Sequence, residues 1–158
     1  MLVRPSVPDD AEAIAAVQVG SFRLGLADVH PAEALATLDP APRVRLWRER
    51  DALVAEDEEQ IVGVAEVGPS DEARVGEIYR LFVAPDRWGE GVGQALMARA
   101  LQQLRASGFS EALLWVHADN RRARRFYEAG GWRLDGAEKN QEPFGRPVKM
   151  VLYRLLLR

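Results

Sequence analysis

"DRWGEGVGQAL", residues 86–96, places glycines at positions 89, 91 and 93, directly ahead of a run with helical spacing. Glycine at that density weakens a helix and a strand alike, so the segment reads as a turn whose bare backbone approaches something. Upstream, GEIYRLFVAP (76–85) reads as a strand ended by Pro85. Downstream, Leu96, Ala100, Leu101 and Leu104 recur on one helical face, and Gly108 stops the run. A strand that passes through glycines into a helix N-terminus makes an anion site, because free N–H groups and the helix dipole both favour negative charge. Close packing of helix on strand would ask for the same glycines, and the turn alone does not separate the two readings. Two nucleotide motifs are excluded. A P-loop needs Lys-Ser or Lys-Thr after its last glycine, and Gln94-Ala95 follow here. A dinucleotide fingerprint needs Gly or Ala at its sixth position. Counted from Gly89 that residue is Gln94, and from Gly91 it is Leu96.

Outward from the turn, the chain alternates between the two periodicities. MLVRP (1–5) reads as a short strand, and Pro8-Asp9-Asp10 opens a helix through Val19. Further helices are expected over Pro31–Leu38 and from Pro42 to about Arg50. ALVAEDEEQIVGVAEVGP (52–69) reads as a hairpin turning at Asp57-Glu58-Glu59. ALLWVHA (112–118) is the next strand, and Asn120 is placed to cap a helix from Arg121 to Ala129 that ends at Gly130-Gly131. Trp132–Leu134 and Val148–Leu156 are the last strands, with a mobile loop expected over Gly136–Pro147. This order suits one α/β (α+β) domain, residues 1–158, built on a mixed sheet.

Composition narrows the chemistry. The 158 residues are 47% hydrophobic and 28% charged with a formal charge of −3, as in a soluble globular chain that needs neither nucleic acid nor membrane as a partner. With no cysteine there is no disulfide, thiolate metal site or cysteine nucleophile. With only His30 and His117, a histidine-rich metal centre is not expected either. The N-terminus lacks the layout of a signal peptide, and no apolar run approaches the roughly 18–20 residues that span a bilayer. A cytoplasmic protein is expected.

A second tract gives the turn its meaning. DNRRARRFYEAGGW (119–132) combines Asn120, Ala123, Phe126, Tyr127, Gly131 and Trp132. Together with the glycine turn, and in the same order, it resembles the acyl-CoA site of the GNAT superfamily of N-acetyltransferases. That family carries a Q/R-x-x-G-x-G/A turn after a central strand and N-x-x-A-x-x-F-Y-x-x-x-G-F/W after the next one. The resemblance covers about residues 52–153; the first 50 residues match only in layout. One departure stands out: Trp88, preceded by Arg87, occupies the place where the family usually has Gln or Arg.

The resemblance implies a central mixed, mostly antiparallel sheet flanked by helices, with two splayed central strands. It also implies acetyl-CoA as cosubstrate, no metal, and transfer of the acetyl group to a primary amine by direct attack. Backbone groups of Leu81, Phe82 and Val83 would bind the pantetheine arm and thioester carbonyl. Arg87, Trp88, Gly89, Glu90, Gly91, Val92, Gly93 and Gln94 would cradle the pyrophosphate. Asn120, Ala123, Phe126 and Tyr127 would complete the site. Asn120 serves equally as an N-cap, and Arg87 or an arginine among Arg121, Arg122, Arg124 and Arg125 would supply the phosphate charge that Trp88 lacks. Tyr127 is implied as general acid, although periodicity alone makes it a core aromatic.

Glu77 is the candidate base, with Glu66, His117 or ordered water as rivals and a solvated strand-end carboxylate as the plain reading. The acceptor, a small-molecule or protein amine, would meet residues about 20–48 and 136–147. Phe22, Asp28, Trp47 and Phe144 are candidates there, each equally credible as core or loop. VLYRLLL (151–157) suits either a homodimer contact or an inner strand. A non-catalytic acyl-CoA sensor is the alternative from another functional class.

Overall fold

One parallel contact organises the molecule. The computed structural model describes residues 1–27, 30–142 and 147–158. Among these, seven strands form a single sheet: β1 (Leu2–Pro5), β2 (Leu53–Asp57), β3 (Gln60–Pro69), β4 (Val75–Val83), β5 (Glu111–His117), β6 (Arg133–Gln141) and β7 (Val148–Leu156). Their spatial order is β1-β2-β3-β4-β5-β7-β6. Every neighbouring pair is antiparallel except β4 and β5. A parallel pair needs a crossover, and the helix α4 (Val92–Ala106) supplies it. The other helices are α1 (Ala11–Gly25), α2 (Ala32–Ala36), α3 (Ala41–Glu49) and α5 (Arg121–Ala129).

Strand alternation sorts the side chains onto two faces. Ile78 of β4 and Ala112, Leu114 and Val116 of β5 join a core with Val92, Leu96, Ala100 and Leu104 of α4. Ala123, Phe126 and Tyr127 of α5 pack against the same core, so α4 and α5 cover one face. On the opposite face, Ala11, Ile14 and Ala15 of α1 and Trp47 of α3 pack on Val54 and Val64. Burial of Leu96 and Leu104, at 0% and 1% exposure, contributes about 1.5–3 kcal/mol each and fixes α4 against the sheet. The fit is close: a Cβ at Gly63 of β3 would lie 2.7 Å from Leu96 and 2.9 Å from Val92.

Three sequence expectations change. The helices expected over 31–38 and 42–50 are Ala32–Ala36 and Ala41–Glu49. The segment expected as a mobile loop from Gly136 is strand as far as Gln141, because β6 pairs with β7 on both sides of an irregularity between Leu134 and Glu138. Of the two readings open for VLYRLLL, the inner strand describes Val151–Leu156, since β7 lies between β5 and β6.

Candidate active site

β4 and β5 pair only over Val75–Glu77 and Glu111–Leu113, and then separate. On its other edge β4 stays paired with β3, but the register slips there. Val67 faces Ile78 and Glu66 faces Arg80, which leaves Tyr79 as an extra residue. Such a bulge bends its strand, and this one sits where β4 leaves β5. The Tyr79 hydroxyl donates to the Pro69 carbonyl and ties the bulge down. The splay opens a cleft of about 620 Å³ lined by Ile78–Val83 and Leu114–His117.

The open edge of β4 is a row of backbone groups that no neighbouring strand pairs. Ala84 N–H donates to the Val62 carbonyl at 2.9 Å. In an antiparallel pair that bond commits Phe82 N–H and C=O to Val64 and turns those of Leu81 and Val83 into the gap. The Phe82 side chain lies on the α1 face, 5.1 Å from Phe22 between ring centroids.

The glycine turn closes the outer end of the cleft. Gly89 and Gly91 adopt φ of +82° and +85°, and Gly91 caps α4 in the left-handed region. Gly93 serves a different purpose: a Cβ there would lie 3.3 Å from the Phe126 ring. Turn geometry and close packing therefore divide the three glycines between them. The first-turn amides of α4 have no intrahelical acceptor and face the cleft end. Arg87, Trp88 and Gly89 line the cleft, as do Gly91, Val92, Gly93 and Gln94, whereas Glu90 does not. Glu90 instead accepts from Arg87 Nε at 3.0 Å, and Asp57 takes Arg87 Nη2 at 2.6 Å. The Arg87 guanidinium is thus already neutralised by two carboxylates.

Trp88 spans the mouth of the splay. Its Nε1–H donates to the Val83 carbonyl at 2.9 Å, and the Arg122 guanidinium lies 3.8 Å from its ring centroid. Desolvation and the neighbouring Arg125 lower the Arg122 pKa from its ordinary value. Arg124 turns inward, with Nε on the Tyr153 hydroxyl at 2.9 Å and Nη1 on the Ala118 carbonyl at 2.8 Å. Of the four arginines on α5, Arg122 alone lines the cleft. Asn120 does cap α5, its Oδ1 accepting from Ala123 N–H at 3.2 Å, and it lines the cleft beside Ala123.

Tyr127 stands on the α4–α5 side of the cleft. Phe126, Trp132 and Tyr153 surround its ring at 5.4, 6.2 and 6.3 Å. Burial pushes its phenol up to about 12, so it holds its proton at neutral pH. Glu77, Trp115 and His117 occupy the other sheet face, as alternation with Ile78, Leu114 and Val116 requires. Desolvation raises the Glu77 pKa above its ordinary value, and Lys139 opposes that shift. The rival Glu66 is held by Arg50 at 3.2 Å and Arg80 at 2.9 Å and does not line the cleft. His117 does line it, with its pKa lowered by desolvation and then by His30, whose ring is 5.8 Å away.

Among the acceptor-side candidates, Phe22 lines the cleft. Trp47 is core instead, 3% exposed with its indole N–H on Gln18 Oε1 at 2.8 Å. Asp28 and Phe144 lie outside the described residues. The sequence reading missed Trp115, Lys139 and Gln141, all of which line the cleft. Trp115 was open to discovery, since it alternates with His117 along one strand. Lys139 and Gln141 were hidden because β6 reads as loop.

A strand splay flanked by an amide-rich turn, with a buried, protonated phenol on one side and a carboxylate on the other, suits a transferase that takes an acyl group from an anionic carrier. The profile of the acetyltransferase (GNAT) family matches residues 25–132. An uncharacterized N-acetyltransferase of Archaeoglobus fulgidus is 35% identical over 136 residues, covering 80% of this chain and 89% of that one. The mycothiol acetyltransferase of Frankia alni is 37% identical over 139 residues, 79% of this chain but only 40% of that protein's length. The PaiA N-acetyltransferase of Thermoplasma acidophilum, solved with coenzyme A, superposes with a TM-score of 0.73 over 99% of both chains at 20% identity. The chain belongs to the acetyltransferase (GNAT) family and is an acetyl-CoA-dependent N-acetyltransferase.

Proposed function

We propose that the protein acetylates the primary amine of a small molecule by direct attack of that amine on the thioester of acetyl-CoA, with residues 1–158 acting as one domain. The observation that carries this reading is the two-sided cleft, with Tyr127 on the α4–α5 face and Glu77 on the opposite face of one splay. Acetyl-CoA brings the activated acyl group. The turn amides from Gly89 to Gly93 hold its pyrophosphate, and Arg122 contributes the positive charge that Arg87 has already committed to Asp57 and Glu90. The gap-facing N–H groups of Leu81 and Val83 orient the pantetheine arm and polarise the thioester carbonyl. Glu77 accepts the proton of the acceptor ammonium, directly or through water. As the C–N bond forms and the C–S bond breaks, Tyr127 donates its hydroxyl proton to the departing thiolate, and the proton that the acylated nitrogen sheds restores the phenol, directly or through water. A cleft of about 620 Å³ that must also take the pantetheine arm leaves room for one small acceptor.

The test is thiol release from acetyl-CoA over a panel of small amines. Turnover of a subset with saturation kinetics is expected. Tight CoA binding without turnover of any amine would replace this reading with a non-catalytic acyl-CoA sensor.

A further inference from the structure

We infer that the acceptor carries a carboxylate besides its amine, and that Lys139 binds that carboxylate; this rests on the acetyl-transfer reading above. Lys139 pairs across the sheet with Met150, which in turn pairs with His117, so the three form a row on the face opposite α4 and α5. An anion at Lys139 is therefore separated by the sheet from the pyrophosphate turn and belongs to the acceptor. The ammonium lies 4.2 Å from the Trp115 ring centroid, a cation–π contact that aims it into the cleft.

Lys139 is close enough to Glu77 to favour its ionised form, yet the two make no ion pair among the described residues. Both groups line the same cleft, a pairing of opposite charges that suits a ligand with complementary ends, its ammonium toward Glu77 and its carboxylate toward Lys139. The other cations on the cleft wall are paired with carboxylates or lie on the donor's face. Arg80 is held by Glu66, Arg87 by Asp57 and Glu90, and Arg122 stacks on Trp88 at the far face. His117 adds a second unsatisfied group on this face. Its Nε2 is buried without a hydrogen-bond partner among the described residues, and the residue lines the cleft. Polyamines fit poorly, since their second cation would meet Lys139.

The full chain is assayed by thiol release from acetyl-CoA with matched pairs that differ only in the carboxylate: phenylalanine and phenethylamine, leucine and 3-methylbutylamine, 4-aminobutanoate and butylamine. The readout is the ratio of kcat/KM within each pair. At least one pair is expected to favour the carboxylated member by about tenfold or more. Lys139→Ala should bring that ratio close to one, Lys139→Glu should invert it, and Lys139→Arg should retain most of it. A wild-type preference for the simple amines, or an equal loss on both members in Lys139→Ala, overturns the anion assignment and leaves acetyl transfer standing. Turnover of no member of any pair by a protein that binds CoA overturns both readings.

Discussion

Tyr127 is suited to proton donation by what surrounds it. Three aromatic rings and no charged neighbour push its phenol up to about 12, so it keeps its proton across the working pH range. The same desolvation raises the proton affinity of a thiolate leaving beside it, which keeps donor and acceptor matched. Tyr127→Phe is expected to lower kcat by about 10²–10⁴-fold with KM for acetyl-CoA nearly unchanged, read by steady-state thiol release. On the proposed mechanism Glu77 carries the pH dependence. Desolvation lifts its pKa above the ordinary carboxylate value, so kcat/KM for the acceptor is expected to rise with pH through an acid limb displaced upward from that of a free carboxylate. Glu77→Gln should remove that limb and leave only the ionisation of the acceptor amine in the pH profile. The folded state also holds the Glu77 proton more tightly than the unfolded chain does. Its contribution to stability is therefore present at low pH and lost as pH rises through the folded value. Tyr127 was found in the sequence through its motif, not its periodicity. Lys139 was not found, because a residue between Glu138 and Asn140, in a run with no apolar alternation, carries no strand signal until its partner strand is known.

At the scale of elements, the glycine turn has its shape because two residues adopt a left-handed backbone and a third gives way to α5. Gly91 at φ +85° both ends the turn and caps α4. Gly91→Ala is expected to cost about 1–2 kcal/mol in thermal or denaturant unfolding. It should also raise KM for acetyl-CoA more than it lowers kcat, because the strain is relieved by moving the amides that hold the pyrophosphate. The turn and the α5 motif were legible in sequence since each depends on local rules: bare backbone, an Asn cap, a double-glycine stop. Trp88 was not. Its role depends on the Val83 carbonyl and the Arg122 guanidinium, two partners on different elements that meet only when β4 and β5 splay. The strand β6 was hidden for a related reason. All nine of its residues are exposed, so there was no apolar alternation to read, and its strand character comes from pairing with β7.

For the whole molecule, the order of strands and helices was readable from periodicity and punctuation, while the consequence of that order was not. A parallel pair paired over only three positions, with a bulge at Tyr79 on the other edge, turns a closed sheet into one with a passage between its faces. On the proposed mechanism the donor enters from the α4–α5 side and the acceptor from the side of Glu77, Trp115 and His117. The most direct test of this arrangement is a crystal structure of the protein with coenzyme A bound. The expected complex has the pyrophosphate on the amides of Gly89–Gly93, the pantetheine arm along the gap-facing edge of Leu81 and Val83, and the thiol within about 2.6–3.2 Å of the Tyr127 hydroxyl or one water away. A coenzyme seated outside the splay, or a thiol out of reach of Tyr127, would contradict it.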